Sequence, residues 1–239
     1  MKIGDILTQQ LNQRYVRCFP NADLIAEKRR ILNLILEHDK SFMFEIKDQE
    51  KRRELAKKGF DGLILDEVSN NLKNNYANMI NYFLGLNGEL DLSKSLYLHG
   101  NTGCGKTLAM NVFKKYTSER LRRNSFKKVS MVDIIRQMSS EGLEAIDRYI
   151  RQDGKPISLY IEDFGTGNHE VKNFGTNINP IDELIDRRYR LWKDTNYPTH
   201  FCSNIDKEDI EEVLSQRVSS RLYEMCNFID FTNIDFRKL

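Results

Sequence analysis

The chain has 239 residues, of which 40% are hydrophobic, 10% aromatic and 30% charged. This composition excludes a collagen-like, low-complexity or wholly disordered polymer. Its 37 basic and 35 acidic side chains leave a net charge of +2, so any basic surface must be local.

The opening, MKIGDILTQQLNQRY, lacks the uninterrupted apolar stretch of a signal peptide. No apolar run approaches the roughly 18–20 residues that cross a bilayer. We therefore expect a cytoplasmic protein with no membrane attachment. Residues 1–68 read as a small, mostly helical N-terminal region. Asp23 is placed to cap a helix running through Leu24, Ile25, Ile31, Leu32, Leu34, Ile35 and Leu36, whose spacing includes a helical apolar face. The mixed-charge stretch from Lys47 to Lys58 reads as a solvated helix stopped by Gly59, and Asp61-Gly62 as a turn.

Residues 69–239 follow a different rhythm. A helix is expected over 71–84, broken by Leu86-Asn87-Gly88. Strands are expected at 95–99, 129–132, 157–161, 199–203 and 228–231. Helices are expected at 108–116, after Asp133 as cap, at 181–192 and at 210–225. Strands separated by helices of this length predict an α/β fold, a parallel sheet flanked by helices. The four cysteines, Cys18, Cys104, Cys202 and Cys226, are far apart and read as reduced thiols. His200 and Cys202 have strand spacing, but nothing nearby completes a zinc site.

Gly100-Asn101-Thr102-Gly103-Cys104-Gly105-Lys106-Thr107 fits G-x-x-x-x-G-K-[ST] in full, after an expected strand and before the helix expected from Leu108, which is counted with the loop as nucleotide-binding. Glycines there let backbone N–H groups curl around a phosphate chain, and the helix N-terminus adds its positive dipole end. Lys106 would reach the β- and γ-phosphates of ATP, and Thr107 would ligate Mg²⁺. The strand Leu159-Tyr160-Ile161 ends in Glu162 and Asp163. In P-loop enzymes such a strand lies beside the phosphate-loop strand. Glu162 is expected to hold the metal through water, and Asp163 to polarise the attacking water. Asp163-Phe164-Gly165 also spells the kinase D-F-G, but the other kinase motifs are missing and chance explains it.

Asn204 ends the strand Thr199–Ser203 and could orient water, although a turn asparagine reads the same way. Arg217 and Arg221, four apart, share one helix face; a solvated basic helix and a guanidinium offered to a neighbouring subunit's γ-phosphate fit equally. Arg120, Arg122, Arg123, Lys127 and Lys128 form a basic patch that could follow single-stranded DNA, with only Phe126 interleaved for stacking.

From about Leu92 to Arg237, the joint order of these segments resembles the AAA+ ATPases of the helicase-loader and transposition-helper group, the DnaC-like and IstB-like proteins. LYLHGNTGCGKT resembles the family's Walker A and LYIEDFG its Walker B, with Glu162 where Asp is usual. NFGTNINPIDELIDRRYRLWKDTNYPTHFCSN resembles the helix with a terminal Arg-Tyr pair (Arg188-Tyr189) and the sensor-1 strand, which puts Asn204 at sensor 1. SQRVSSRLYEMC resembles the arginine-finger box, which favours Arg221 and secondarily Arg217. The resemblance implies a P-loop ATPase that self-associates through ATP interfaces, without a full C-terminal lid. It also implies an N-terminal region that binds a client, a replicative helicase or a transposase. The expected function is DnaC-like helicase loading. The alternatives are an IstB-like transposition helper, a non-hydrolysing nucleotide-binding module and a P-loop phosphotransferase acting on a small molecule.

Overall fold

The computed structural model describes residues 24–38, 57, 62–120, 125–166, 171–173, 176–231 and 235. Cys18 and nearly all of the charged stretch 47–58 lie outside them. The chain divides into two compact units. One comprises Met1–Leu92, Gly100–Leu121 and Asp230–Leu239, the other Ser93–His99 and Arg122–Ile229.

In the first unit, α1 (Leu24–His38) carries Ile31, Leu34 and Ile35 on its buried face and packs on α3 (Lys106–Arg120). Glu27, 4% exposed, accepts hydrogen bonds from the Tyr116 hydroxyl at 2.9 Å and from Arg120 Nη2 at 2.5 Å. Burial pulls this carboxyl up, but the bonds from Arg120 and Tyr116 outweigh it and hold it below the usual carboxylate range. The helix α2 spans Gly62–Leu84, so it starts earlier than the expected Asn71, at the glycine assigned to a turn. It runs without a break through residues 68 and 69. Its end falls where Gly85 takes a φ of 70°, a left-handed stop that suits glycine. Phe83 stacks on Phe113 of α3 with ring centroids 4.6 Å apart.

The second unit holds a five-stranded sheet in the order β2-β5-β8-β1-β9, with β1 at Ser95–His99, β2 at Phe126–Ser130, β5 at Ser158–Phe164, β8 at Thr199–Ser203 and β9 at Cys226–Asp230. The pairs β2–β5, β5–β8 and β8–β1 are parallel. The expected α/β fold, a parallel sheet flanked by helices, is the observed one. The strand bearing Glu162 and Asp163 is not beside β1, however. β8 lies between them, hydrogen-bonded to both.

The helix α4 (Met131–Glu141) begins earlier than expected because Ser130, not Asp133, caps it, accepting the Val132 N–H. A 3₁₀ helix (Leu143–Tyr149) and two short hairpins, β3–β4 (Arg151–Gln152, Lys155–Pro156) and β6–β7 (Val171–Asn173, Thr176–Ile178), were not expected. The helix α5 spans Pro180–Thr195, capped by Asn179 with proline in its first turn. The helix expected over 210–225 is two, α6 (Ile210–Val213) and α7 (Gln216–Met225). Leu214 turns extended between them and Ser215 caps the second. Leu159, Ile161, Phe201, Leu184, Ile185, Val218 and Leu222 form part of the core that joins the sheet to α5 and α7.

Arg188 is fully buried in this unit. Its Nε donates to Thr199 Oγ1 at 2.6 Å, Nη1 to the Tyr149 and Ile157 carbonyls and Nη2 to the Pro198 carbonyl, each of these three at 2.9 Å. Burial lowers its pKa to about 9. His200, equally buried, accepts the Leu96 N–H at Nδ1, 3.1 Å away. Burial, and then the charge of Arg188, push its pKa down to about 3. His200 is thus a neutral acceptor, and the Cys202 thiol accepts from the Tyr160 hydroxyl at 3.2 Å.

Candidate functional site

The glycine loop leaves β1 at Gly100 and enters α3 at Lys106. Gly100, Gly103 and Gly105 have φ values of 129°, 84° and 96°, a region L-residues rarely enter. A Cβ at Gly100 would sit 2.3 Å from the Phe231 carbonyl oxygen, and one at Gly103 would sit 1.9 Å from Asp235 Oδ1. Glycine is required at both positions on conformation and on space. Cys104, within the loop, is buried, and Lys106 is only 6% exposed. The Lys106 ammonium folds back on its own loop. It donates to the Gly100 carbonyl at 2.6 Å and the Asn101 carbonyl at 2.8 Å, with Cys104 Sγ at 3.5 Å. Asn101, Thr102, Thr107 and Leu108 stay open to solvent. A curled backbone, a helix N-terminus and a buried ammonium on exchangeable carbonyl partners suit a phosphate chain.

The carboxyl end of the sheet carries the acidic pair. Asp163 is exposed and has a φ of 51°, rare for a residue with a side chain and worth of order 1–3 kcal/mol in strain. The register of β5 against β8 shifts between Ile161 and Phe164. This bulge lets Leu159, Ile161 and Phe164 all join the core although their spacing breaks alternation. The Ser203 hydroxyl donates to the Phe164 carbonyl at 2.8 Å and accepts the Ile205 N–H at 3.0 Å, tying the ends of β5 and β8 together. Asn204, also exposed, follows that tie.

Glu162 does not stand open. Lys128 on neighbouring β2 pairs with it at 2.9 Å, and the Tyr160 hydroxyl oxygen lies 3.4 Å from it. Sequence reasoning assigned Lys128 to a nucleic-acid patch and missed this pairing, which only the β2–β5 register reveals. The other described members of that patch are also engaged. Lys127 lies over the Tyr149 ring at 5.4 Å, and Arg120 binds Glu27. Arg122 and Arg123 lie outside the described residues. His99, 6% exposed at the end of β1, has Nδ1 3.2 Å from Asp206 Oδ1 after β8. Neither residue carried a sequence signal.

Arg217 and Arg221 meet at one acceptor. Arg217 Nη2 lies 2.5 Å from Asp186 Oδ1 on α5, and Arg221 Nη1 pairs with the same oxygen. Arg221 also lies over the Tyr189 ring, 5.1 Å from its centroid. Arg190 Nη2 reaches Asp186 Oδ2 at 2.5 Å. Asp186 was not among the expected site residues. Its i,i+4 pairing with Arg190 was legible in the sequence, but its contacts with α7 were not.

Mg²⁺ favours oxygen donors such as hydroxyls and carboxylates. Thr107 in the first unit carries a hydroxyl of that kind, and Glu162 and Asp163 in the second carry carboxylates. Among the described residues, no group of three or more His, Cys, Asp or Glu side chains gathers into a metal cage of its own, and a nucleotide-borne Mg²⁺ needs none. No helix among them is long and apolar enough to cross a membrane.

No protein-family model matches the chain, and no curated protein matches it. Among solved structures, it is similar to DnaI at 22% identity over 59% of this chain and 72% of that one, with a TM-score of 0.44. It is similar to the DnaC helicase loader at 18% identity over 59% and 79%, with a TM-score of 0.44. It is also similar to AMPPCP-bound DnaA from Aquifex aeolicus at 16% identity over 59% and 42%, with a TM-score of 0.42.

Proposed function

We propose that this chain is an ATP-binding and ATP-hydrolysing assembly factor of the DNA replication machinery, acting as a DnaC-like helicase loader in the cytoplasm. The observation that carries the reading is the loop from Gly100 to Thr107. Three left-handed glycines and a buried lysine held by backbone carbonyls join a buried strand to a helix. In this reading Lys106 exchanges the Gly100 and Asn101 carbonyls for β- and γ-phosphate oxygens, and the N–H groups of residues 101–107 receive the rest of the chain. Bound Mg²⁺ supplies charge neutralisation of the phosphates. Thr107 is its hydroxyl ligand, and Glu162 its carboxylate, acting through water. Asp163 orients and polarises the attacking water, with Asn204 holding that water from the other side. Arg221, and secondarily Arg217, meets the γ-phosphate of a nucleotide on a second copy of this chain, so that ATP promotes self-association.

Residues 1–68 are assigned to client binding, and residues 69–239 to the ATPase. Ile25, Leu32 and Leu36 share one face of α1 and are 64%, 38% and 49% exposed, an apolar stripe suited to a protein client, the replicative helicase. Single-stranded DNA is a secondary partner through the basic residues near β2. A second reading, a nucleotide-binding module that does not hydrolyse, draws on Lys128 holding Glu162. Asp163→Asn decides between them. The ATPase reading predicts unchanged ATP affinity with phosphate release cut by at least about 10²-fold. Equal and negligible release by both proteins, with client and single-stranded DNA present, supports the module.

A further inference from the structure

Three arginines from two helices converge on one carboxylate of the second unit. Asp186, 9% exposed at its side chain, takes Arg217 and Arg221 on Oδ1 and Arg190 on Oδ2. The nearby acids are engaged elsewhere. Asp182 accepts the Ser215 hydroxyl, and Glu224 accepts the Tyr189 hydroxyl and pairs with Lys193. One carboxylate against three guanidinium groups leaves the cluster with surplus positive charge, and guanidinium forks match phosphate oxygens as well as they match a carboxylate. The three arginines are not equivalent. Arg190 and Arg217 are 68% and 61% exposed, whereas Arg221 is 17% exposed, tucked between Asp186 and the Tyr189 ring.

We infer that Asp186 is an internal stand-in for a phosphoryl group. It holds Arg221 folded against α5, and the terminal phosphate of a nucleotide bound to a second copy of this chain must displace it. This rests on the proposed function and adds a regulatory residue to it. Arg190 and Arg217, already exposed, make first contact with the incoming phosphate. Arg221 follows only when the phosphate outcompetes Asp186. The latch costs association energy, and it keeps the free chain from offering Arg221 to other anions.

The test uses the full chain and sedimentation velocity at graded protein concentration in Mg²⁺ and ATP, with thermal midpoints measured alongside. Asp186→Asn releases the arginines and should lower the protein concentration at half association by about tenfold, the equivalent of one partly buried ion pair. Arg190→Ala removes a first contact for the incoming phosphate and one positive charge that Asp186 shares, and should shift that concentration the other way. A merely structural role would weaken association in both variants. Asp186→Asn combined with Arg221→Ala should lose the gain. Unchanged or weaker association of Asp186→Asn, with fluorescent ATP-analogue affinity kept, overturns the latch and leaves the nucleotide reading standing. An unchanged or strengthened Arg190→Ala overturns it too, even where Asp186→Asn fails to fold. A wild-type chain with no nucleotide affinity overturns the proposed function, and the latch with it.

Discussion

The glycine loop and the α5–α7 face each hold one cation away from water, Lys106 and Arg221, and they hold them differently. Lys106 rests on the carbonyls of its own loop. Arg221 rests on a carboxylate two helices share. A carbonyl is a neutral partner, so a phosphate that replaces it gains charge–charge attraction. A carboxylate is an anion already, so a phosphate that replaces it gains little and must first pull the pair apart. In the proposed reading the loop is therefore ready to bind, whereas the arginine face has to be released. Glu162 belongs with the arginine face in this respect, since Lys128 already pairs with it. Nucleotide binding should need only the loop, and hydrolysis should need the groups now paired elsewhere.

Substitutions can break or sharpen this contrast. The largest expected effect is on turnover. Arg221→Ala should lower ATP hydrolysis by about 10³-fold at concentrations that allow self-association, with nucleotide affinity unchanged. Steady-state phosphate release and equilibrium binding, measured together, check it. Next is Arg188→Met, which removes a cation of the second unit that works structurally. It strands the carbonyls of Tyr149 and Ile157 and takes one donor from the Thr199 hydroxyl and from the Pro198 carbonyl, which keeps the Leu159 N–H. Unfolding in urea should show a loss of about 2–6 kcal/mol, at about 1–3 kcal/mol per stranded carbonyl. Full stability in that variant would mean that burial of an arginine here is incidental.

A smaller effect concerns pH. The folded His200 titrates near 3 and an unfolded histidine near 6.5. Below pH 6.5 the unfolded chain takes up the proton and the folded chain does not. Stability contributed by the neutral ring is complete above 6.5 and is lost as pH falls toward 3. At pH 5 the loss is about 2 kcal/mol. His200→Asn, which keeps an acceptor for the Leu96 N–H, should unfold with a flatter pH dependence between 6.5 and 5. The smallest expected effect is that of Lys128→Met, which frees Glu162. Turnover should rise a few-fold in the variant while ATP affinity stays level, read from initial rates at saturating ATP.

The sequence showed the parallel α/β arrangement and the glycine loop because both are local. Alternating apolar runs report buried strands, and G-x-x-x-x-G-K-[ST] reports a backbone shape through residues that tolerate it. Strand order was not legible. Placing the Glu162 strand beside β1 overlooked that β8 is paired with both, a choice made by packing between distant segments. The end of α2 at Leu84 was legible from the glycine-containing break after it, but the break before Ser215 depends on one backbone dihedral at Leu214, and apolar periodicity alone runs past it. Arg217 and Arg221 were legible as one helix face. That Asp186 receives both was not, because it takes the packing of α5 against α7 to bring them together. The bulge at Asp163 was equally hidden, since nothing in Leu-Tyr-Ile-Glu-Asp-Phe announces a left-handed aspartate.

The central claim is that the turn between β1 and α3 receives a triphosphate. The direct measurement is titration of the purified chain with a fluorescent ATP analogue in Mg²⁺ buffer, beside Lys106→Ala with its thermal midpoint recorded. The account predicts saturable binding by the wild type, at least about 100-fold weaker binding by the variant and similar midpoints for both. Equal affinity in the two proteins, or none in either, contradicts it.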